Sequence, residues 1–159
     1  CPRRTNFDIR ILSQHRCSQQ RLQKTIKIMT HLLDIDDLTK MDIDSILKLA
    51  TELKQSHIDG NVPSLLHGKT LSMLFEKPST RTRVSFEVGM NMLGGDAITF
   101  DLSQLQLSRG ETLSDTTKSL SLYVDAILAR VTDHSLLEQL SLTSTIPIIN
   151  GFFVFKLCC

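Results

Sequence analysis

Three hydroxyls and three cations crowd into residues 75–83, FEKPSTRTR, where a short apolar run gives way to a helical pattern. Ser79, Thr80 and Thr82 can donate from their hydroxyls, and Lys77, Arg81 and Arg83 bring positive charge, so the chemistry on offer is capture of an anion. Arg81 and Arg83 fall in the first helical turn. Free backbone amides there present about half a positive charge, and each arginine costs ~0.3–1 kcal/mol. A phosphate reverses that sign, because amides, hydroxyls and guanidinium groups can all donate to it. Charge-assisted hydrogen bonds of roughly 1.5–3 kcal/mol each exceed the dipole penalty. The plainer alternative is that Ser79 caps the helix while the arginines bond Glu76, Glu87 or solvent.

The elements around this segment must position it. Residues 70–75 (TLSMLF) predict a buried strand, and Pro78 a turn or helix entry. Val84, Val88 and Met92 recur every four residues, Phe86 and Leu93 widen that stripe, and Gly94-Gly95 ends it, predicting a helix over 80–93. Upstream, a helix over 39–55 opens on a Thr39/Asp42 capping box, aligns Ile43, Ile46, Leu47, Ala50 and Leu53, and is followed by breakers at Gly60, Asn61 and Pro63. Downstream come strand 96–100, helix 112–122, strand 125–131, helix 135–144 and strand 146–150. Thr112 with Asp115, and Ser135 with Glu138, read as further capping boxes. This alternation predicts an α/β fold: a parallel sheet of about four strands with helices on both faces, forming a single domain. Ligands in such sheets bind beyond the carboxyl ends of the strands, which selects 79–83, 101–111 and Arg130. Arg130 ends the otherwise apolar AILARV, so it either serves a site, pairs with Asp133 or reaches solvent.

Of the 159 residues, 41% are hydrophobic, enough for one core. The net charge of +1 hides an asymmetry: residues 1–28 carry seven Lys/Arg against Asp8, whereas 29–150 carry ten against sixteen acids. An acidic body argues against a nucleic-acid surface, and no apolar run is long enough for a membrane span. The four cysteines, Cys1, Cys17, Cys158 and Cys159, lie at the ends, so a reducing cytoplasmic setting is expected. The mitochondrial matrix is the alternative if the basic head is a presequence. Residues 1–28 are expected to be disordered or to precede the natural start, 29–150 to form the domain, and 151–159 (GFFVFKLCC) to mark a truncation or reading-frame change.

HGKT at 67–70 shares the last residues of a P-loop, but Pro63 stands where that motif needs its first glycine, and the tetrad precedes the strand instead of following it. His15, His31, His57, His67 and His134 lack metal-ligand spacing, so no metal is expected. No nucleophile elbow is present either, which leaves positioning and electrostatics as the chemistry.

FEKPSTRTRVSFEVGMNMLGG closely resembles the phosphate-binding signature of the aspartate/ornithine carbamoyltransferase family, whose hallmark is SxRT. The resemblance continues through GETLSDT (110–116), YVDAILARV (123–131) and IPIING (146–151), and covers about residues 29–151. HLLDIDDLTKMDI (31–43), FEKPSTRTRVSFEVGM and IING look most like the ornithine branch. The resemblance implies half of a two-domain fold, and transfer of a carbamoyl group from carbamoyl phosphate to ornithine, giving citrulline and phosphate without a cofactor. By motif, Ser79, Thr80, Arg81 and Thr82 would grip the phosphate, and Arg130 with Thr82 would polarise the carbamoyl oxygen. Arg81, Thr82 and Arg130 are therefore the expected catalytic residues. The loop Gln104–Glu111, with Gln106, would reach a neighbouring subunit's site in a homotrimer, although Ser108 replaces the glycine usual in QLGRGE. The family's His-Pro-x-Gln motif and its ornithine-recognising domain are not in this chain. A half-site is expected, binding carbamoyl phosphate weakly and turning over little or nothing. Readings kept beside it are an aspartate carbamoyltransferase fragment and a non-catalytic anion-binding or assembly module.

Overall fold

The computed structural model describes residues 31–103 and 112–151. The expectations for the basic head, for the Gln104–Glu111 loop with Gln106, and for the tail beyond Gly151 lie outside those residues.

Five strands form one parallel sheet: β1 (His31–Leu32), β2 (Thr70–Phe75), β3 (Asp96–Asp101), β4 (Ala126–Arg130) and β5 (Ile148–Asn150), in the order β1-β5-β4-β2-β3. The helices are α1 (Lys40–Ile58), α2 (Thr80–Met92), α3 (Leu113–Ser121) and α4 (His134–Thr143), with a 3-10 turn at Ile35–Asp37. Strand β2 lies inside the sheet, and Leu71 to Phe75 are all buried, as a strand covered on both faces requires. One apolar cluster joins Leu74, Ile127, Ala129 and Ile148 to Leu137 and Leu140 of α4, with Leu113 and Leu120 of α3 beside it. The other joins Leu71, Met73, Phe75 and Leu128 to Phe86 and Met90 of α2. Helices therefore cover both faces, each fully buried large side chain contributing about 1.5–3 kcal/mol.

The expected architecture holds, with one strand more than the sequence predicts. Strand β1 has two residues, too few to show an alternating pattern. Long-range bonds place it: the Ile148 amide donates to His31 Nδ1 (3.3 Å), and Asn150 Nδ2 donates to the Leu33 carbonyl (2.9 Å).

Two local predictions are corrected. Helix α4 is capped by Asp133, whose carboxylate accepts from the Ser135 amide at 2.9 Å, and not by a Ser135/Glu138 box. An aspartate one residue upstream of the helix is an equally good cap, and it won. In α2, Val84, Val88 and Met92 are 50%, 45% and 45% exposed. The face against the sheet runs instead through Thr82, Phe86 and Met90, which share the same four-residue spacing. Thr39 caps α1 as expected, yet no residue of α1 is buried, and Ile46 and Leu47 are exposed.

The order of the strands has one functional consequence. From β2 the chain passes through α2 to β3 on one side, whereas from β4 it passes through α4 to β5 on the other. Neighbouring strands β2 and β4 thus send their helices to opposite faces, leaving a crevice at their carboxyl ends.

Candidate functional site

Parallel pairing puts Phe75 beside Arg130, so both strands end level at that crevice. The chain leaving β2 carries Glu76 to Ser79 and enters α2. The chain leaving β4 carries Val131 to Asp133 and enters α4. Ser79 occupies the N-cap position of α2 with extended backbone, but its side chain makes no capping bond. The plain capping alternative for Ser79 is therefore not what the fold uses. Ser79 is half-buried at the helix start, with Thr80 and Arg81 exposed alongside.

Thr82 turns inward and is 2% exposed. Its Oγ1 accepts a hydrogen bond from Nη1 of Arg130 at 2.6 Å. This contact joins the two motifs the sequence singles out, 48 residues apart. It also gives a half-buried guanidinium a fixed direction at the strand end. A charged donor to a neutral oxygen is one of the stronger hydrogen bonds, about 1.5–3 kcal/mol.

Arg83 points elsewhere. Its Nε donates to Glu87 Oε1 at 2.9 Å, and the same oxygen accepts from Thr99 Oγ1 of β3 at 2.8 Å. These bonds, the Thr99 one first, hold the Glu87 carboxyl below the usual carboxylate range. Arg83 and Glu87 line a cleft of about 540 Å³ with Ser79, Thr80, Val84, Thr99 and Asp101. That cleft meets the helix start but is lined by neither Thr82 nor Arg130, so it is only the outer side of the site.

Lys69 lies at the other end of the sheet, donating to Asp125 Oδ1 at 2.6 Å before β2 begins. HGKT thus serves the amino ends of β2 and β4, opposite the crevice. Among the described residues, no group of three or more His, Cys, Asp or Glu is arranged to hold a metal, and no helix is long and apolar enough to cross a membrane.

The structure adds a pair that sequence reasoning did not single out. Glu76, immediately before the socket, accepts from Thr132 Oγ1 at 2.6 and 2.8 Å and from the Thr132 amide. Its own amide donates to the Arg130 carbonyl at 3.1 Å. The hydroxyl and amide of Thr132, in that order, hold the Glu76 carboxyl below its ordinary range. A carboxylate beside three cations is visible in the sequence, but its partner 56 residues away is not.

Comparison with known proteins gives the same picture. The family described as "Aspartate/ornithine carbamoyltransferase, carbamoyl-P binding domain" matches residues 30–153. The chain is 50% identical over 123 residues to an ornithine carbamoyltransferase of Archaeoglobus fulgidus, covering 77% of this chain and 40% of that protein. It is 52% identical over 120 residues to the Bacillus subtilis ornithine carbamoyltransferase, covering 76% of this chain and 36% of that one. Among solved structures, ornithine carbamoyltransferase from Pyrococcus furiosus aligns with a TM-score of 0.72 at 52% identity, over 76% of this chain and 39% of that one. The catalytic subunit of M. jannaschii aspartate transcarbamoylase aligns with a TM-score of 0.71 at 38% identity, over 77% and 40%. The chain thus spans about 40% of the length of such relatives.

Proposed function

Since the chain belongs to the aspartate/ornithine carbamoyltransferase family and matches its carbamoyl-phosphate-binding domain, we propose that it binds carbamoyl phosphate in the β2/β4 crevice, as the donor half-site for carbamoyl transfer to ornithine. In this reading Ser79, Thr80, Arg81, Thr82 and the free amides of the α2 start hold the phosphate. Arg130 and Thr82 face the carbamoyl oxygen. The ornithine amine attacks the carbonyl carbon, negative charge grows on that oxygen, and the guanidinium stabilises it without having to reorganise. The C–O bond to phosphate then breaks, and the departing phosphate takes the amine proton, giving citrulline and phosphate. The observation that carries the reading is the 2.6 Å bond from Arg130 to Thr82, which brings an oxyanion stabiliser onto the helix that carries the phosphate ligands.

Ornithine is the proposed acceptor because the half-identical relatives bear that name. Its recognition is assigned to the part of the relatives that this chain does not cover, so the role proposed for the residues described here is donor binding. Assembly into a trimer is part of the proposal. The exposed Val84, Val88 and Met92 on α2, which covers the edge strand β3, favour an assembly surface there.

Calorimetric titration with carbamoyl phosphate and inorganic phosphate tests the reading. Carbamoyl phosphate should bind more tightly than inorganic phosphate. Equal binding of the two anions would refute the carbamoyl site. Carbamoylation of aspartate but not ornithine would move the assignment to the aspartate branch.

A further inference from the structure

Phosphate can be held by the start of α2 alone, but discrimination for a carbamoyl group requires Arg130 at one particular place. Arg130 is the last residue of β4, and its side chain crosses to a different element to reach Thr82. The backbone that follows it turns at once toward the opposite face of the sheet. Something must hold that turn against the β2–α2 loop, since past the strand ends the sheet ladder no longer does.

Glu76 occupies that place from both sides. Its amide is bonded to the carbonyl of Arg130, and its carboxylate takes both donors of Thr132, two residues further on. The turn Arg130–Val131–Thr132 is thereby gripped at each end by one residue. Val131 between them is buried in the core cluster, which closes the third side. We propose that Glu76 is a positioning residue: by clamping the β4 turn it sets where the Arg130 guanidinium lies, and so the preference of the site for carbamoyl phosphate over phosphate. The inference rests on the carbamoyl-phosphate reading given above.

Glu76 is exposed, and exposed hydrogen bonds add little to global stability, so its effect should be local. Glu76→Gln keeps the size of the side chain, but its amide nitrogen cannot accept from Thr132. Titrating the whole chain and this variant with carbamoyl phosphate and with inorganic phosphate separates the possibilities. The expected result is a wild-type preference for carbamoyl phosphate that falls roughly five- to tenfold in Glu76→Gln, the loss of about one well-aligned hydrogen bond. Phosphate affinity and melting temperature should stay near wild type. Thr132→Ser, which retains both donors, should keep the wild-type preference, whereas Thr132→Val, which loses the hydroxyl, should act like Glu76→Gln.

Two results overturn the idea while leaving the site intact: an unchanged preference in Glu76→Gln and Thr132→Val, or an equal loss of both ligands together with a lowered melting temperature. If Glu76→Gln does not fold, Thr132→Val is read by the same two criteria. Absence of any preference in the wild type refutes the carbamoyl-phosphate site itself.

Discussion

The guanidinium of Arg130 donates to the hydroxyl of Thr82 at 2.6 Å, linking the end of β4 to the first turn of α2. Thr82 sits on the inner face of its helix, so the same residue serves core packing and the site. Its hydroxyl is at once a partner for Arg130 and a donor available to a bound anion.

Thr82→Val should therefore lower both stability and ligand preference. The isosteric change leaves one Arg130 donor without its oxygen, at a cost of about 1.5–3 kcal/mol. Thr82→Ser keeps the oxygen and should bind carbamoyl phosphate within about threefold of wild type, its loss being one methyl group. Denaturant melts and calorimetry check the pair. If Val and Ser bind alike, the hydroxyl plays no part.

Arg81→Ala should weaken phosphate and carbamoyl phosphate together. One charge-assisted bond of roughly 2 kcal/mol corresponds to about thirtyfold in affinity. Its melting temperature should stay near that of wild type, since Arg81 is exposed. Unchanged calorimetric affinity would leave the socket without its expected anchor.

Stability should fall on the acid side in two steps. Burial lowers the pKa of His31, so the unfolded chain takes up protons first, and stability begins to fall as pH drops below about 6.5. The Asp125 carboxyl is held below the aspartate range, first by Lys69 Nζ and then by the Thr70 amide. Its contribution is fully present above the unfolded pKa of about 3.9 and is lost as pH falls through the lower folded value. Glu76, Glu87, Asp101 and Asp133 shift the same way, each through hydrogen bonds to its carboxylate. Melting curves across pH should show a shallow decline below about pH 6.5 and a steeper one below about pH 4. His31→Asn should remove the first step and Asp125→Asn should soften the second. A midpoint that rises on acidification would contradict the assignment.

Val88→Lys should reduce self-association. Val88 is 45% exposed, between Val84 and Met92 on the outer stripe of α2. Lysine suits a helix and leaves the inner face of Phe86 and Met90 untouched. Light scattering should show a smaller species, with stability changed by no more than about 0.5 kcal/mol. An unchanged particle size would place the assembly surface elsewhere.

Much of the fold was legible locally. TLSMLF and AILAR are apolar runs that only a strand buried on both faces accommodates, and Gly94 ends α2 at φ +81°, a conformation glycine adopts without strain. The segment of the proposed site stood out as well, because two arginines at a helix start oppose the ordinary dipole preference and invite an anion. Errors arose where two local answers were equally good. α2 carries two apolar stripes, 84/88/92 and 82/86/90, and spacing alone does not say which one faces the sheet. Asp133 and Ser135 are both competent caps.

Sequence by itself determined the element types and the parallel α/β class, and singled out the segment proposed to bind an anion, because these follow from side-chain periodicity, caps and turn residues within a few positions. Tertiary structure decided the rest: the order β1-β5-β4-β2-β3, the inward turn of Thr82, and the meetings of Arg130 with Thr82 and Glu76 with Thr132. Those pairs lie 48 and 56 residues apart. They come together only because opposite crossovers from neighbouring strands open a crevice, a packing outcome that no local pattern encodes.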